Sequence, residues 1–154
     1  MKYFYALFLP FVMEISYADV TCYLNIVKDS CWNDFNVNVV AIDTSNRSQV
    51  AQATIAKGSK WTRVSFKCNP GQTLLYNATF TPAFWEADKD KVYHATQYWS
   101  LPNQLNPGDV AWELTICFPS SFSGVPFPPT AGSDCACQYD QIQPLKLKTD
   151  SSSQ

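Results

Sequence analysis

The stretch KWTRVSFKCNPGQTLLYNATFTP, residues 60 to 82, reads as two strands separated by a turn. In its first half Val64, Phe66 and Cys68 alternate with Arg63, Ser65 and Lys67. In its second half Leu74, Tyr76, Ala78 and Phe80 fall on one side. Successive strand residues point to opposite faces, so a two-residue period marks a ribbon that buries one face and wets the other. NPGQ (69–72) sets Pro70 and Gly71 at favoured turn positions, and Pro82 closes the second run.

The same pattern extends outward in both directions. TCYLNIVK (21–28) groups Cys22, Leu24 and Ile26, and FNVNVVAID (35–43) groups Phe35, Val37 and Val39 opposite Asn36 and Asn38. QVAQATIA (49–56) is a weaker strand that ends at the turn KGSK. VYHATQYW (92–99) follows the charged turn DKDK (88–91), and VAWELTICF (110–118) aligns Val110, Trp112, Leu114 and Ile116. About seven strands at 8–12-residue spacing, with no 3.6-residue period, predict an all-β fold. The expected architecture is a single antiparallel β-sandwich, immunoglobulin-like, with a closed small barrel as the alternative.

The opening MKYFYALFLPFVMEISYA has one basic residue, Lys2, an apolar run and small residues at Ser16 and Ala18, the layout of a secretory signal peptide over 1–18. Its apolar run is shorter than the ~20 residues that span a bilayer. Removing 18 of 154 residues leaves 136, enough for one core. The expected division is a sandwich domain over 19–118, a proline-rich arm over 119–147 and a disordered tail over 148–154. A net charge of −2 supplies no basic footprint for nucleic acid and no polybasic patch for anionic lipid. No membrane insertion is expected after signal cleavage.

All six cysteines (Cys22, Cys31, Cys68, Cys117, Cys135 and Cys137) follow the predicted cleavage site. An even count in an exported domain reads as three disulfides, with 15 possible pairings. In an extended segment Cys135 and Cys137 would sit about 6.6 Å apart at ~3.3 Å per residue. A disulfide needs Cβ atoms roughly 3.5–4.5 Å apart. Each is therefore expected to reach a different partner and staple the arm to the sandwich. No paired C-x(2–4)-C knuckle and no histidine pair points to zinc, so no metal or other cofactor is expected.

His94 is the only histidine, and no G-x-S-x-G elbow accompanies it. With the cysteines bridged, no thiolate remains as a nucleophile. The residues point away from an enzyme. The alternative is a small secreted hydrolase using carboxylates near Glu86 and Glu113, the two glutamates beyond the signal peptide. Aromatics near loops suit sugar rings or protein partners, and Phe84, Trp85, Tyr98, Trp99 and Phe127 form the candidate binding surface. N-R-S at Asn46 and N-A-T at Asn77 match the glycosylation sequon.

Taken together, TCYLNIVKDSCW, KGSKWTRVSFKCNPGQ, QYWSLPNQLNPGDVAW, VPFPP and the C-A-C pair resemble short periplasmic or secreted proteins of Gram-negative, Legionella-like bacteria, a group without an assigned activity. That resemblance implies an oxidising periplasmic or extracellular location. The expected function is that of an exported, disulfide-stabilised binding module for a protein or glycan of the envelope, with an inhibitor as one version. A structural envelope component that pairs through an exposed strand edge is a further possibility.

Overall fold

The computed structural model describes residues 20–106, 109 and 111–146. The expected signal peptide and the tail from 148 lie outside the described residues. The described residues are all-β and form eight strands: β1 (Val20–Lys28), β2 (Asn36–Asp43), β3 (Gln49–Ile55), β4 (Trp61–Cys68), β5 (Thr73–Thr81), β6 (Tyr93–His94), β7 (Trp99–Ser100) and β8 (Ala111–Phe118). They build two sheets. One has the order β4-β1-β8; the other runs β3-β2-β5-β6, with β7 also pairing β5.

The alternation in 60–82 is realised as β4 and β5, but in different sheets. β4 pairs with β1 and β5 pairs with β2, so the NPGQ turn carries the chain from one sheet to the other. Gly71 makes that crossing possible: its φ is +72°, and a Cβ there would come within 2.9 Å of Asn103 Oδ1. Leu24, Ile26 and Ile116 from the first sheet and Val37, Val39 and Tyr76 from the second join one buried cluster. At one end of it Trp32 packs edge-on against Phe80 and Phe118, with ring centroids 4.7 and 4.8 Å away.

Three local departures from the sequence pattern have identifiable causes. β8 runs parallel to β1, not antiparallel as expected, after the long connection from β7 returns it to the first sheet. The expected strand over 92–99 is broken into β6 and β7. At the break, Thr96 N–H donates to Ser121 O, and Ala95 bridges to Phe122, so the following segment takes over the pairing. The arm is also more than a surface strap at its start: Phe122 is buried in the core and its ring meets Phe118 at 5.7 Å.

The disulfides are Cys22–Cys68, Cys31–Cys135 and Cys117–Cys137. The first joins neighbouring strands β1 and β4 within one sheet. The other two send the cysteines of C-A-C to separate partners, one in the 3₁₀ turn Ser30–Trp32 and one near the end of β8, as expected from the spacing. Between them Ala136 O accepts from Ser30 N–H, and Asp29 bridges to Cys137. Farther along, Gln143 O accepts from Arg63.

The end of β1 breaks the expected alternation, since Asn25 and Val27 are buried along with Lys28 and, just past the strand, Asp29. Asn25 is satisfied by Arg63, Glu113 and Thr115. Lys28 is only 3% exposed, and its Nζ donates to the backbone oxygens of Phe35 (2.7 Å), Ala56 (3.0 Å) and Asn33 (3.4 Å). It thereby ties the β1–β2 connection to the β3–β4 turn. Burial lowers its pKa to about 8, with Asp34 acting in the opposite direction.

Because the folded state releases the Lys28 proton about 2.5 pH units before the unfolded chain does, Lys28 makes stability rise as pH climbs from about 8 to about 10.5. Chemical denaturation of the wild type and Lys28→Met across that window is expected to show the wild type gaining roughly 2–3 kcal/mol on the variant. A constant difference would mean that the three carbonyls fully compensate the buried charge.

Candidate functional site

The five candidate aromatics fall in separate places. Phe84 is half-buried and belongs to the cluster around Trp32, its ring 4.8 Å from Phe35 and 4.9 Å from Phe80. Trp99 is also half-buried and packs edge-on to Tyr76, and its indole Nε1 has no hydrogen-bond partner among the described residues. Trp85, Tyr98 and Phe127 are open, at 61%, 65% and 75% exposure. They do not form one surface. Trp85 lines a hollow with Phe80 and Thr81, whereas Tyr98 lines one with Thr73 and Leu75. Along β5 those two places are on the order of 17 Å apart. Phe127 stands on the arm between the half-buried Pro126 and the buried Pro128.

The Tyr98 hollow has the most developed chemistry. Its volume is about 520 Å³, and Ile42, Asp43, Thr44, Arg47, Thr73, Leu75 and Tyr98 line it. Ile42 and Leu75 are directly opposed across the β2–β5 pair, and the buried residues beside them, Ala41 and Tyr76, point to the core. The apolar floor is therefore the outward face of two hydrogen-bonded strands. Tyr98, displayed just before β7, supplies one wall, and the turn that follows β2 supplies the other.

Asp43 organises that turn. Its Oδ1 accepts from Ser45 N–H at 2.7 Å and Ser45 Oγ at 2.6 Å, and its Oδ2 accepts from Gln72 Nε2 at 2.6 Å. Its backbone oxygen accepts from Arg47 N–H. The Ser45 hydroxyl, then Gln72 and the Ser45 backbone, hold the Asp43 carboxyl below its ordinary pKa, against the opposing effect of burial. With those donors in place the carboxylate is a structural acceptor.

Arg47 differs. It is exposed, sits at φ +59°, and no carboxylate among the described residues pairs with its guanidinium. Left-handed backbone is unfavourable for a side chain with a Cβ, and Gly or Asn would occupy it at lower cost. The turn thus presents five N–H donors at the mouth of the cavity.

The carboxylates of the hydrolase alternative are engaged elsewhere. Glu113 faces Arg63 at 2.8 Å and accepts from Asn25, while Glu86 lies in the 3₁₀ turn Glu86–Asp88 beside Lys89. No cavity described here is lined by both. His94 is exposed, with Nδ1 2.7 Å from Asn77 Oδ1, so the Asn77 sequon carboxamide is already engaged. Asn46 lies in the exposed turn beside Arg47, and its Oδ1 likewise accepts, from Ser48 N–H at 2.8 Å. Asp29, Cys31 and Cys135 lie within 4.8 Å of one another, but the two sulfurs are bonded together and Asp29 accepts from Cys31 N–H. That cluster is a staple and a turn cap.

Sequence reasoning reached Tyr98 but not Arg47, Asp43 or the threonines. Apart from the N-R-S sequon the turn TSNRS carries no motif for a ligand site, and a left-handed arginine has no sequence signature. No protein-family model, curated protein or solved structure matches the chain. The three disulfides fit an oxidising, extracytoplasmic setting, and no helix among the described residues is long and apolar enough to cross a membrane.

Asp43→Asn replaces an acceptor with a group that turns an N–H toward Gln72 or Ser45. At pH 7 it should destabilise the fold by about 1–2 kcal/mol. The depressed Asp43 pKa contributes stability above the unfolded value near 3.9, and that contribution is lost as pH falls through the folded value. The gap between wild type and variant should therefore close below about pH 4. Thermal melts that keep the same gap down to pH 2 would contradict this role for Asp43.

Proposed function

We propose that this chain is an exported binding module and not an enzyme. In this reading the two sheets form an immunoglobulin-like sandwich over 19–118, and residues 119–147 are an arm fixed to it by two disulfides. The partner is a protein or glycan outside the cytoplasm, and an inhibitor of an envelope enzyme is one form the role can take. Supporting this is one observation above the others: Tyr98 and Arg47 stand open at the rim of a cavity whose floor is two paired strands. The backbone of that floor is fixed by strand pairing, and a pre-ordered scaffold loses less conformational freedom when a ligand docks.

Nothing in the cavity resembles a nucleophile with its base. Asp43 is held by three donors, and Thr44 Oγ1 donates to Thr73 O. Aromatic surface, unpaired donors and an apolar floor suit recognition, within the ~300–1,000 Å³ typical of ligand sites.

Amide chemical shifts test this reading against a mixed panel of oligosaccharides and peptides. A binding member of the panel should perturb Thr44, Arg47, Thr73 and Tyr98 together, and Tyr98→Ala should weaken it at least tenfold without changing the melting temperature. Perturbations confined to Trp85 or Phe127, or a full response from the Tyr98 variant, would put binding elsewhere and overturn the assignment.

A further inference from the structure

The lining of the Tyr98 cavity narrows what it can hold. We infer that it takes an acidic sugar, a pyranose bearing a carboxylate, with the ring against Tyr98 and the carboxylate on Arg47. This rests on the reading of the cavity as the binding site and adds the ligand class.

Three observations converge. First, the Arg47 guanidinium is exposed and has no carboxylate partner among the described residues. Its planar fork matches the two oxygens of a carboxylate, and a bidentate pair of this kind is roughly twice as strong as a neutral hydrogen bond. The one acid in the lining, Asp43, is held by Ser45 and Gln72 and makes no ion pair with Arg47.

Second, the ligand must offer an apolar face as well as a charge. Tyr98 is 65% exposed, and the floor is Ile42 and Leu75. A pyranose has such a face on its C–H side, while its hydroxyls can meet Thr44 and Thr73 at the rim. A bare anion would use Arg47 alone and leave the aromatic wall without a role.

Third, the cavity gives an extended peptide no backbone to pair with. β2 and β5 are hydrogen-bonded to each other through Asp43↔Leu74 and Ile42↔Leu75, so the floor is a sheet face rather than a free edge. Strand addition, the usual way an extended peptide binds a sheet, is closed here. Recognition must run through side chains, which suits a compact ring.

The conformation of Arg47 permits a discriminating variant. At φ +59° glycine is the better backbone residue, so Arg47→Gly removes the guanidinium without removing stability. A residue retained only for the turn would behave in the opposite way.

Calorimetric titrations of the full chain at 50 mM salt should use oligogalacturonate and N-acetylneuraminate as probes. The matching neutral galactose oligomer and inorganic phosphate serve as controls. The acidic sugars are expected to bind at least tenfold more tightly than the neutral one and to weaken as salt rises. Arg47→Gly should lose at least tenfold in affinity with an undiminished melting temperature. Arg47→Lys should recover only part of the affinity, and Tyr98→Ala should lose at least tenfold for the sugars.

Equal affinity for neutral and acidic sugars would sink the ligand class while leaving the cavity as the binding site. So would a peptide that perturbs the cavity amides when no sugar does. Phosphate binding as tightly as the sugars, unaffected by Tyr98→Ala, would reduce the site to an anion contact and overturn the inference. If none of these probes, and no member of the broader panel, perturbs residues 42–47 and 98, both the inference and the binding-site reading fail.

Discussion

Ala136 sits between two cysteines that are bonded in different directions, one to the 3₁₀ turn after β1 and one near the end of β8. This pair of cross-links is the constraint on which the surrounding structure depends. The segment from Pro119 to Lys146 contains no strand and only one short 3₁₀ turn, so little regular hydrogen bonding holds it. Ordering each residue costs ~1–2 kcal/mol of backbone entropy. A disulfide restricts the unfolded chain and typically contributes about 2–4 kcal/mol. The two bridges close spans of 104 and 20 residues, so the first constrains the unfolded chain far more widely than the second.

Fixing the arm there has consequences for the sheet beneath it. Alternation would place Asn25 on the wet face of β1, yet it is buried within the Arg63, Glu113 and Thr115 network. Arg63 itself is tied to Gln143 of the arm. Part of the first sheet's outer face is therefore committed to internal structure, while Ser65 and Lys67 of β4 stay exposed. The cavity opens instead on the outward side of the β2–β5 pair, with the Asp43 turn and Tyr98 as its walls. The Arg63–Gln143 tie falls on one sheet, and the cavity opens on the other.

Much of this was legible in the residues, and the misses share a cause. Two-residue alternation located the long strands because each has one buried face. The C-A-C spacing pointed to separate partners because, in extended chain, the two thiols do not reach each other without a tight turn. The sequence pattern failed where a neighbour changed the environment. Nothing in TCYLNIVK marks Lys28 as a buried cation, yet three backbone carbonyls from beyond the strand enclose it. The run over 92–99 alternates well, yet the arm competes for its backbone through Ser121 and Phe122. Phe122 itself has no periodic companions to mark it as core. At the site, Tyr98 was legible as a loop-edge aromatic, while Phe84 and Trp99 share that signature and pack inward. Arg47 was invisible because its significance lies in a backbone angle and a missing partner, both set by the fold.

The central claim is that the six sulfurs form three bridges and that the C-A-C pair divides between two partners. Non-reducing alkylation followed by chymotryptic peptide mapping by mass spectrometry tests it directly. The account expects no alkylated cysteine and a linked complex in which the peptide carrying Cys135 and Cys137 is joined to both the Cys31 and the Cys117 peptides. An isolated peptide with Cys135 bonded to Cys137, or free thiols at either position, would contradict it.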